Sequence, residues 1–372
     1  MRRALSLARR GTFTHPNPRV GAVIVRSDAA VGEGWHDGVG TPHAETVALA
    51  RAGEAARGAT LYVTLEPCSH RRRADGSPRV PCTNRVIDAG IARVVCAMED
   101  PDTQVAGQGF ARLRDAGVAV VVGVCEAEAR ALNHPYIKHR TTGLPYILHK
   151  AAMTLDGKTA TAAGSSRWIS GEESRAYVHR ALRATVDAVV VGIGTVLADD
   201  PSLTTRLTAK SAKRNAHQPL RVIVDSTLRT PPSAQVAAPG TVIYTTVYTT
   251  DQGAERAAAL TDTGAVVIAL PAGADGRVEV EAAMRDLAGR GALNILLEAG
   301  AELAAAFYAA HLVDAALFFV APKLAGGRDA PTPIGGDGLA RDMSRAYRTG
   351  AISVRRFGRD VALFADIVYD KQ

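Results

Sequence analysis

Short apolar runs alternate with amphipathic segments of helix length along most of the chain. In the first half, the apolar runs cover residues 20–25, 31–35, 59–65, 92–98 and 118–124, and the helix-length segments lie near residues 44–56, 83–89 and 107–116. This alternation is typical of an α/β sheet layered with helices. The amino-terminal segment predicts a short amphipathic helix rather than a signal peptide, because Arg9 and Arg10 interrupt its apolar stretch. Its inward residues would be Ala4, Leu5, Leu7 and Ala8.

The alternation breaks over residues 126–145, which begin as a helix and end in polar residues with Gly143 and Pro145. Glycine and proline are strong interrupters of regular structure, and 372 residues are enough for two domains with separate cores. We therefore expect one domain over residues 1–143 and a second over residues 146–372. In the second half, apolar runs cover residues 146–153, 187–194, 220–226, 241–246, 265–270, 294–300, 314–324 and 360–367, and helices are predicted near residues 172–184, 279–288 and from residue 302.

Composition and charge disfavour several classes of protein, namely nucleic-acid-binding, membrane-spanning and disulfide-rich proteins. The formal net charge of +7 suits anionic ligands, but the basic residues are scattered and aromatic residues make up only 5%, which disfavours a nucleic-acid surface. No apolar run approaches the ~18 residues of a membrane span. Four cysteines are too few for a disulfide framework, so we expect a reducing cytoplasm. Cys96 and Cys125 lie in apolar, strand-like runs and are predicted to be buried thiols.

Three residues with zinc-binding side chains lie at predicted ends of helices and strands. His43 stands at the head of a helix, Cys68 follows Pro67 at the end of a strand, and Cys82 follows Pro81 at the head of the next helix, where the helix dipole would favour its thiolate. A catalytic zinc site uses three nitrogen or sulfur ligands and keeps one position open for water. Glu45, two residues from His43, is then placed to move protons between that water, a ring nitrogen and the leaving amine. The pattern is that of zinc deaminases.

Other interpretations of these residues stay open. They could be unrelated core or loop residues, or they could form a closed structural zinc site, although such a site usually takes four protein ligands and no fourth is evident. Thirteen residues separate the two cysteines, including Arg71, Arg72 and Arg73, where nucleic-acid deaminases have two. The spacing favours a subfamily with a loop between the ligands.

Longer motifs in both halves resemble one family. In the first half they are Thr14–Val25 (THPNPRVGAVIV), His43–Glu45 (HAE), Thr64–His70 (TLEPCSH) and Pro81-Cys82. In the second half they are Lys150–Lys158 (KAAMTLDGK), Arg167–Ser170 (RWIS), Val191–Thr204 (VGIGTVLADDPSLT) and Ala321–Gly327 (APKLAGG). Together they resemble the bifunctional deaminase–reductases of riboflavin biosynthesis, and their order and spacing agree over the whole chain.

The resemblance implies a cytidine-deaminase-like three-layer α/β/α domain followed by a dihydrofolate-reductase-like α/β domain. The first domain would use one Zn²⁺ to deaminate 2,5-diamino-6-ribosylamino-4(3H)-pyrimidinone 5′-phosphate. The second would use NADPH to reduce the ribosyl group of 5-amino-6-(5-phosphoribosylamino)uracil to ribityl. In the first domain the resemblance implies substrate contacts from Asn17, His36 and His70. It leaves open which of Arg71, Arg72, Arg73 or Arg79 meets the substrate phosphate.

In the second domain, the resemblance implies substrate contacts from Ser166, Arg183, Leu203, Arg206 and Glu298, and the two arginines suit bidentate phosphate recognition. Lys150, Asp199 and Glu298 would polarise or protonate the sugar while the cofactor supplies hydride. Cofactor contacts would come from Met153, Trp168, Thr195, Asp199, Ser226, Gly300, Ala301, Glu302, Leu303, Ala304, Ala305 and Ala306. No G-x-G-x-x-G follows a strand, so a Rossmann dinucleotide fold is not expected, and the sequence does not separate NADPH from NADH.

Two alternative functions remain at this stage. A tRNA or other nucleic-acid base deaminase with an appended nucleotide-binding domain would share the zinc ligands, but it predicts stacking aromatics and a basic groove. The second alternative is a zinc-stabilised protein in which one domain has no catalytic activity. Such a protein would not need all three zinc ligands together with Glu45, but all four residues are present. We expect a homo-oligomeric enzyme of the cytoplasm that acts on a small phosphorylated pyrimidine, without nucleic-acid or membrane partners.

Overall fold

The computed structural model describes residues 1–11, 13–70, 78–103, 105–206, 217–246 and 250–369. The chain divides into two compact units, Met1–Leu144 and Pro145–Gln372. Within the described residues, no helix combines the length and the apolar character needed to cross a membrane. Arg71, Arg72 and Arg73, predicted to lie in a loop between the two zinc cysteines, fall outside the described residues.

The first unit is built on a five-stranded sheet with the strand order β2-β1-β3-β4-β5. Strand β1 pairs antiparallel with β2 and β3, whereas β3, β4 and β5 are parallel. The strands are β1 Gly21–Arg26, β2 Ala29–Trp35, β3 Thr60–Val63, β4 Arg93–Cys96 and β5 Ala119–Val122. The helices are α1 Arg2–Ala8, α2 Ala44–Ala52 with a 3₁₀ turn at Gly53–Ala56, α3 Cys82–Asp88, α4 Gln108–Asp115, α5 Glu126–Leu132 and α6 His134–Thr142.

Close packing of α2 on β2 positions the head of that helix. A Cβ atom on Gly34 would lie 2.3 Å from the carbonyl oxygen of Ala44, so a larger residue would push the helix away from the strand. The predicted inward face of α1 is confirmed, since Ala4, Leu5, Leu7 and Ala8 are all buried.

Of the two thiols predicted to be buried, one is not. Cys96 is fully buried at the end of β4. Cys125 is only half-buried and precedes α5 in the left-handed region at φ 61°, because β5 ends at Val122 and the chain turns before the cysteine. The prediction for Cys125 is therefore wrong.

The second unit carries a ten-stranded sheet with the order β10-β9-β8-β7-β11-β6-β12-β15-β13, and β14 also pairs with β15. Neighbours from β10 to β12 are parallel, whereas β15 is antiparallel to its partners. The strands are β6 Tyr146–Thr154, β7 Ala188–Gly192, β8 Leu220–Val224, β9 Thr241–Thr246, β10 Val266–Leu270, β11 Asn294–Leu297, β12 Ala315–Ala321, β13 Arg348–Thr349, β14 Ser353–Phe357 and β15 Asp360–Val368. The helices are α7 Glu172–Tyr177, continued by a π-helix at Val178–Leu182, α8 Ile193–Asp199, α9 Asp251–Asp262, α10 Val280–Gly289 and α11 Ala301–Ala309, with a 3₁₀ turn at Met343–Arg345.

Two of these helices were not expected from the sequence. Helix α8 follows β7 directly, with Gly192 as its N-cap and Gly194 in its first turn, and these glycines hide the helical pattern. Helix α9 buries only Ala257 and Leu260, which leaves too weak a periodicity to predict it. The single helix expected near residues 172–184 is an α-helix that changes to a π-helix.

Candidate active sites

Three elements of the first unit bring the predicted zinc ligands together. His43 precedes α2, Cys82 is the first residue of α3, and Cys68 lies in the loop after β3. Thr83 fixes this loop, because its backbone N–H and its hydroxyl both donate to the carbonyl of Cys68, at 3.2 and 3.3 Å. The three ligand atoms lie within 4.8 Å of one another. Nδ1 of His43 is 3.8 Å from Sγ of Cys68 and 3.4 Å from Sγ of Cys82.

These distances fit a tetrahedral zinc ion. Normal Zn–N and Zn–S bonds place a nitrogen and a sulfur ligand about 3.6 Å apart, between the two observed distances. Hydrogen bonds from Cys82 and the nearby His43 lower the pKa of the Cys68 thiol to about 3. The pKa of Cys82 is raised, because its thiol bonds to Cys68 and is buried. The backbone N–H of Cys82, at the start of α3, points at Sγ of Cys68, 3.3 Å away. Because a cysteine binds zinc as its thiolate, the Cys82 thiolate stays a prediction for the zinc-bound protein.

Glu45 lies in the first turn of α2, beside the ligands, and is 3% exposed. Its Oε2 atom has no hydrogen-bond partner among the described residues. Burial raises the pKa of Glu45, which favours the protonated carboxyl group compared with an exposed glutamate. The residue lines a cleft of about 1100 Å³ together with His43 and Cys68. A buried carboxyl group with a free oxygen at a cleft is suited to take up and return protons.

The residues expected to contact the pyrimidine surround the same cleft. Nδ2 of Asn17 is 3.2 Å from Nε2 of His36, whose Nδ1 lies 3.3 Å from a backbone carbonyl. His36 is 3% exposed, so it is placed to hold Asn17. Arg79 is the described member of the four candidate phosphate arginines. Its guanidinium lies 3.1 Å from Nε2 of His70 and 3.2 Å from Sγ of Cys68.

Glu66 shapes this cleft but was not singled out from the sequence. Its carboxylate accepts four backbone N–H groups of the segment that leads into α4, from Asp100, Gly107, Gly109 and Phe110, at 3.1, 3.0, 2.7 and 3.4 Å. These bonds fix the chain two residues before Cys68. The available signal was an acidic residue at the end of an otherwise apolar strand, between Leu65 and Pro67.

The second unit has a cavity of about 790 Å³ beside the carboxyl ends of β7 and β11. Parallel sheets commonly bind ligands at this edge. The cavity is lined by many of the residues expected to contact substrate or cofactor, namely Lys150, Ser166, Trp168, Arg183, Thr195, Asp199, Leu203, Arg206, Glu298, Gly300 and Ala301.

Three charged residues that line this cavity form ion pairs with one another. Arg183 donates from Nε and Nη2 to the two carboxylate oxygens of Glu298, at 2.8 and 3.1 Å, and Nζ of Lys150 lies 3.6 Å from the same carboxylate. Burial alone would raise the pKa of Glu298, but the two cations lower it to about 2. The two cations therefore favour the ionised form of Glu298.

Arg183, which was expected to recognise phosphate, lines the cavity and already contacts protein acceptors. Besides the two bonds to Glu298, its Nη1 donates to the carbonyl of Thr204 at 3.3 Å. Its side chain is 9% exposed. Three of its five N–H groups thus have protein acceptors, and one N–H on each of Nη1 and Nη2 is left for a ligand. Recognition of phosphate by Arg183 stays a prediction.

Other expected contacts lie at or beyond the cavity rim. Oγ of Ser166 is 3.3 Å from Oδ1 of Asp199, and the guanidinium of Arg175 lies 4.5 Å from the ring centre of Trp168. Seven residues expected to contact the cofactor lie outside the lining within the described chain: Met153, Ser226, Glu302, Leu303, Ala304, Ala305 and Ala306. Two of them make hydrogen bonds within the protein: Oγ of Ser226 accepts the N–H of Val278, and Oε1 of Glu302 accepts that of Gly336.

Comparisons with known proteins agree with this geometry. Residues 1–98 match the cytidine and deoxycytidylate deaminase zinc-binding region, and residues 145–363 match the RibD C-terminal domain. Over 98% of its length the chain is 42% identical to riboflavin biosynthesis protein RibD of Escherichia coli, 97% of which is covered. It is 40% identical to the Aquifex aeolicus RibD protein, over 98% of this chain and 96% of that one.

Two solved structures are similar over nearly the whole chain. Acinetobacter baumannii RibD, form 2, has a TM-score of 0.84 at 35% identity, covering 99% of this chain and 97% of that one. A Thermotoga maritima protein described as a diaminohydroxyphosphoribosylaminopyrimidine deaminase/5-amino-6-(5-phosphoribosylamino)uracil reductase has a TM-score of 0.80 at 30% identity, covering 99% and 97%.

Fold and site together define a zinc-dependent deaminase joined to a dihydrofolate-reductase-like reductase. The zinc ligands lie in the deaminase half, and the reductase half depends on NADPH. The chain belongs to the family of the riboflavin biosynthesis protein RibD and is a bifunctional deaminase and reductase of riboflavin biosynthesis. The predictions of family, fold class, enzyme class and both cofactors are confirmed.

Proposed function

We propose that residues 1–143 deaminate 2,5-diamino-6-ribosylamino-4(3H)-pyrimidinone 5′-phosphate, and that residues 146–372 reduce the ribosyl group of 5-amino-6-(5-phosphoribosylamino)uracil to ribityl. The two activities named for the Thermotoga maritima relative support this choice of substrates. The observation that carries the proposal is the group of three ligand atoms within 4.8 Å beside the buried, unpartnered oxygen of Glu45.

In the deaminase, His43, Cys68 and Cys82 would hold the zinc ion. Zinc in such a site supplies a water molecule whose pKa is lowered toward neutrality. Glu45 takes the proton from the attacking water at Oε2 and passes it to a ring nitrogen. The resulting carboxylate takes the remaining proton from the new hydroxyl group on C2 and gives it to the leaving amine, so that C2 becomes a carbonyl carbon and ammonia departs. Burial favours the protonated form that this second transfer requires.

The remaining residues of this cleft would bind and orient the substrate. Asn17, supported by His36, and His70 would contact the pyrimidine. The guanidinium of Arg79, which lies between His70 and Cys68, would supply positive charge near the phosphoribosyl tail.

In the reductase, NADPH supplies a hydride to C1′ of the ribosyl group. The C1′–O4′ bond breaks, so O4′ must receive a proton. We assign this proton to the Lys150 ammonium, because Glu298 is held as an anion between Lys150 and Arg183. Asp199 and Ser166 would orient the sugar hydroxyls. The phosphate would then meet Arg206 and the remaining N–H groups of Arg183.

We further propose that the enzyme works in the cytoplasm, as a homo-oligomer and on a small molecule rather than a nucleic acid. Cys68, Cys82, Cys96 and Cys125 are all free thiols, which suits a reducing compartment. Ile352 and Val354, which are 60% and 64% exposed, give β14 and its approach an apolar surface that a second copy could cover.

The test combines metal analysis with a two-step assay. The purified protein should contain one zinc ion per chain, release ammonia from the diaminopyrimidinone phosphate without NADPH, and oxidise NADPH only after deamination. Ammonia release from oligonucleotides alone, or an active protein without metal, would show that the proposed function is wrong.

A further inference from the structure

Helix α6 forms part of the deaminase cleft, although it lies in the segment where the sequence pattern indicates a break between domains. Tyr136 and Arg140 of this helix line the cleft. Asn133 is the N-cap residue of α6 and is 2% exposed. An asparagine at this position usually accepts a hydrogen bond from the first turn of the helix. The side chain of Asn133 makes no such bond, so its buried carboxamide serves another purpose.

The carboxamide of Asn133 pairs with the backbone of a single residue, Arg19, 114 positions earlier in the chain. Its Oδ1 accepts the N–H of Arg19 at 2.8 Å, and its Nδ2 donates to the carbonyl of Arg19 at 3.0 Å. A carboxamide can bond both backbone groups because it carries a donor and an acceptor side by side. A carboxylate lacks the donor and an aliphatic side chain lacks both, so the contact depends on the residue type.

This pairing fixes one end of the short segment that carries Asn17. At the other end, the backbone N–H of Asn17 donates to the carbonyl of Thr14 at 2.7 Å. Pro16 and Pro18 flank Asn17, and a proline fixes its own φ and restricts the backbone of the residue before it. The chain between the two ends therefore has little freedom, and a shift at Arg19 would move Asn17 with it.

The side chain of Asn17 is the part of this segment that meets the cleft. Its Nδ2 is 3.2 Å from Nε2 of His36, and both residues line the cleft. The backbone N–H of His36 donates to the carbonyl of Val20 at 2.9 Å, one residue after Arg19. The position of Asn17 relative to His36 thus depends on where the chain lies at residues 19 and 20, and Asn133 holds the first of these.

We propose that Asn133 is a positioning residue of the deaminase, whose carboxamide holds the backbone of Arg19 and thereby keeps the Asn17 side chain placed for the pyrimidine substrate. The inference rests on the proposed function, in which Asn17 contacts that substrate. The pairing of Asn133 with Arg19 is a property of the fold and does not depend on the substrate.

Two substitutions at Asn133 and one control on the same helix test the proposal. Asn133→Leu removes both hydrogen bonds at a similar side-chain size. Asn133→Asp keeps the acceptor for the Arg19 N–H but sets a carboxylate oxygen against the Arg19 carbonyl. Thr141→Ala is the control, because Thr141 is exposed and its hydroxyl donates to carbonyl groups of α6 itself, at 2.9 and 3.3 Å.

We expect both Asn133 variants to raise KM for the deaminase substrate on the order of tenfold with kcat unchanged, since a contact made equally in the ground and transition states is weakened. Thr141→Ala should leave KM unchanged. In an Asn17→Ala background, Asn133→Leu should raise KM by less than about twofold further, because the two residues act through one contact.

Hydrogen exchange at the backbone amide of Asn17, followed by NMR, reports on the segment without any substrate. It should become faster in both Asn133 variants and stay unchanged in Thr141→Ala, since the bond from this amide to Thr14 lies at the far end of the segment. Zinc content and NADPH oxidation, measured on the same samples, should match the wild type and so show that both units are folded.

Other outcomes would overturn the proposal. Additive effects of Asn133→Leu and Asn17→Ala on KM would mean that Asn133 acts by a route other than Asn17. A fall in kcat at constant KM, or loss of zinc, would place its effect on the metal site, and unchanged exchange at Asn17 would show that the pairing does not hold the segment. If the wild-type protein does not deaminate the proposed substrate, the proposed function fails, whereas exchange at Asn17 still decides whether Asn133 holds the segment.

Discussion

Two buried glutamates, one in each unit, show how differently the same side chain behaves in the two sites. Glu45 has an oxygen without a partner, and burial raises its pKa. Glu298 is clamped by the guanidinium of Arg183 and approached by Lys150, and its pKa falls to about 2. Burial acts in the same direction on both, so neighbouring cations decide the difference. Glu45 is suited to move protons, whereas Glu298 is suited to fix charge.

The strongest test of this comparison is Glu45→Gln. Because an amide cannot take up or return the protons, ammonia release should fall about 10³-fold. Zinc content and NADPH oxidation with the deaminated substrate should not change. The measurement is ammonia release and metal content on one preparation.

Glu54→Gln is the matched control for this substitution. Glu54 is exposed in the 3₁₀ turn that follows α2, so its loss should leave ammonia release unchanged. A Glu45→Gln protein that still deaminates at the control rate would remove Glu45 from the reaction.

The second test removes the clamp in the reductase. Arg183→Met leaves Glu298 as a buried charge with only Lys150 nearby, and breaking a buried pair in this way costs about 3–5 kcal/mol of unfolding free energy. The reductase should therefore lose activity at lower temperature, with ammonia release unaffected. Combining Arg183→Met with Glu298→Gln should recover part of the loss, because the unpaired charge is gone.

An exposed ion pair in the same unit provides the control for the clamp. Arg285→Met breaks an i,i+4 pair with Glu281 whose side chains are 53% and 41% exposed. Pairs of this kind contribute at most about 0.5 kcal/mol. If Arg183→Met proved as mild as Arg285→Met but raised KM sharply, Arg183 would serve to bind substrate rather than to hold Glu298.

Acid titration tests the same carboxylate without a change at Arg183. The folded-state pKa of Glu298 is about 2, below its ordinary value of 4.5. A depressed pKa stabilises the fold above the unfolded-state value, and this stability is lost as the pH falls through the folded-state value. About 3 kcal/mol should therefore disappear between about pH 5 and pH 2. The unfolding free energy of the reductase should decrease with falling pH in this range in the wild type, and it should decrease less in Glu298→Gln.

The comparison also explains how much of each site was predictable. His43, Cys68 and Cys82 could be found from the sequence because each carries its chemistry in its own side chain and stands at the end of an element. What Arg183 does could not be found in this way. Its partner Glu298 is 115 residues away in the sequence, and only the fold brings the two side chains together.

The same limit applies to secondary structure. Strands β1 to β12 and β15 have strong apolar runs and were predicted to within a few residues. Strands β13 and β14 were not predicted, because their residues are largely polar and exposed. Helices α8 and α9 were missed because a glycine-rich start and a largely exposed surface hide the helical period. The contact of Arg183 with Thr204 was hidden for another reason, because its acceptor is a backbone carbonyl that any residue could supply.

A third buried glutamate, Glu66, extends the comparison, and its substitution has the smallest expected effect. Glu66 is bonded by four backbone N–H groups and by no cation within the described residues, so it serves neither as proton carrier nor as half of an ion pair. In Glu66→Gln, the amide nitrogen that replaces one carboxylate oxygen cannot accept a hydrogen bond from the backbone N–H groups. The unfolding free energy of the deaminase should therefore fall by about 2 kcal/mol. The urea concentration that abolishes ammonia release should fall, while that for NADPH oxidation should not. Glu126→Gln, at an exposed pair with Arg130, should change neither midpoint. Equal midpoints for Glu66→Gln and wild type would mean that the loop before Cys68 is held by other contacts.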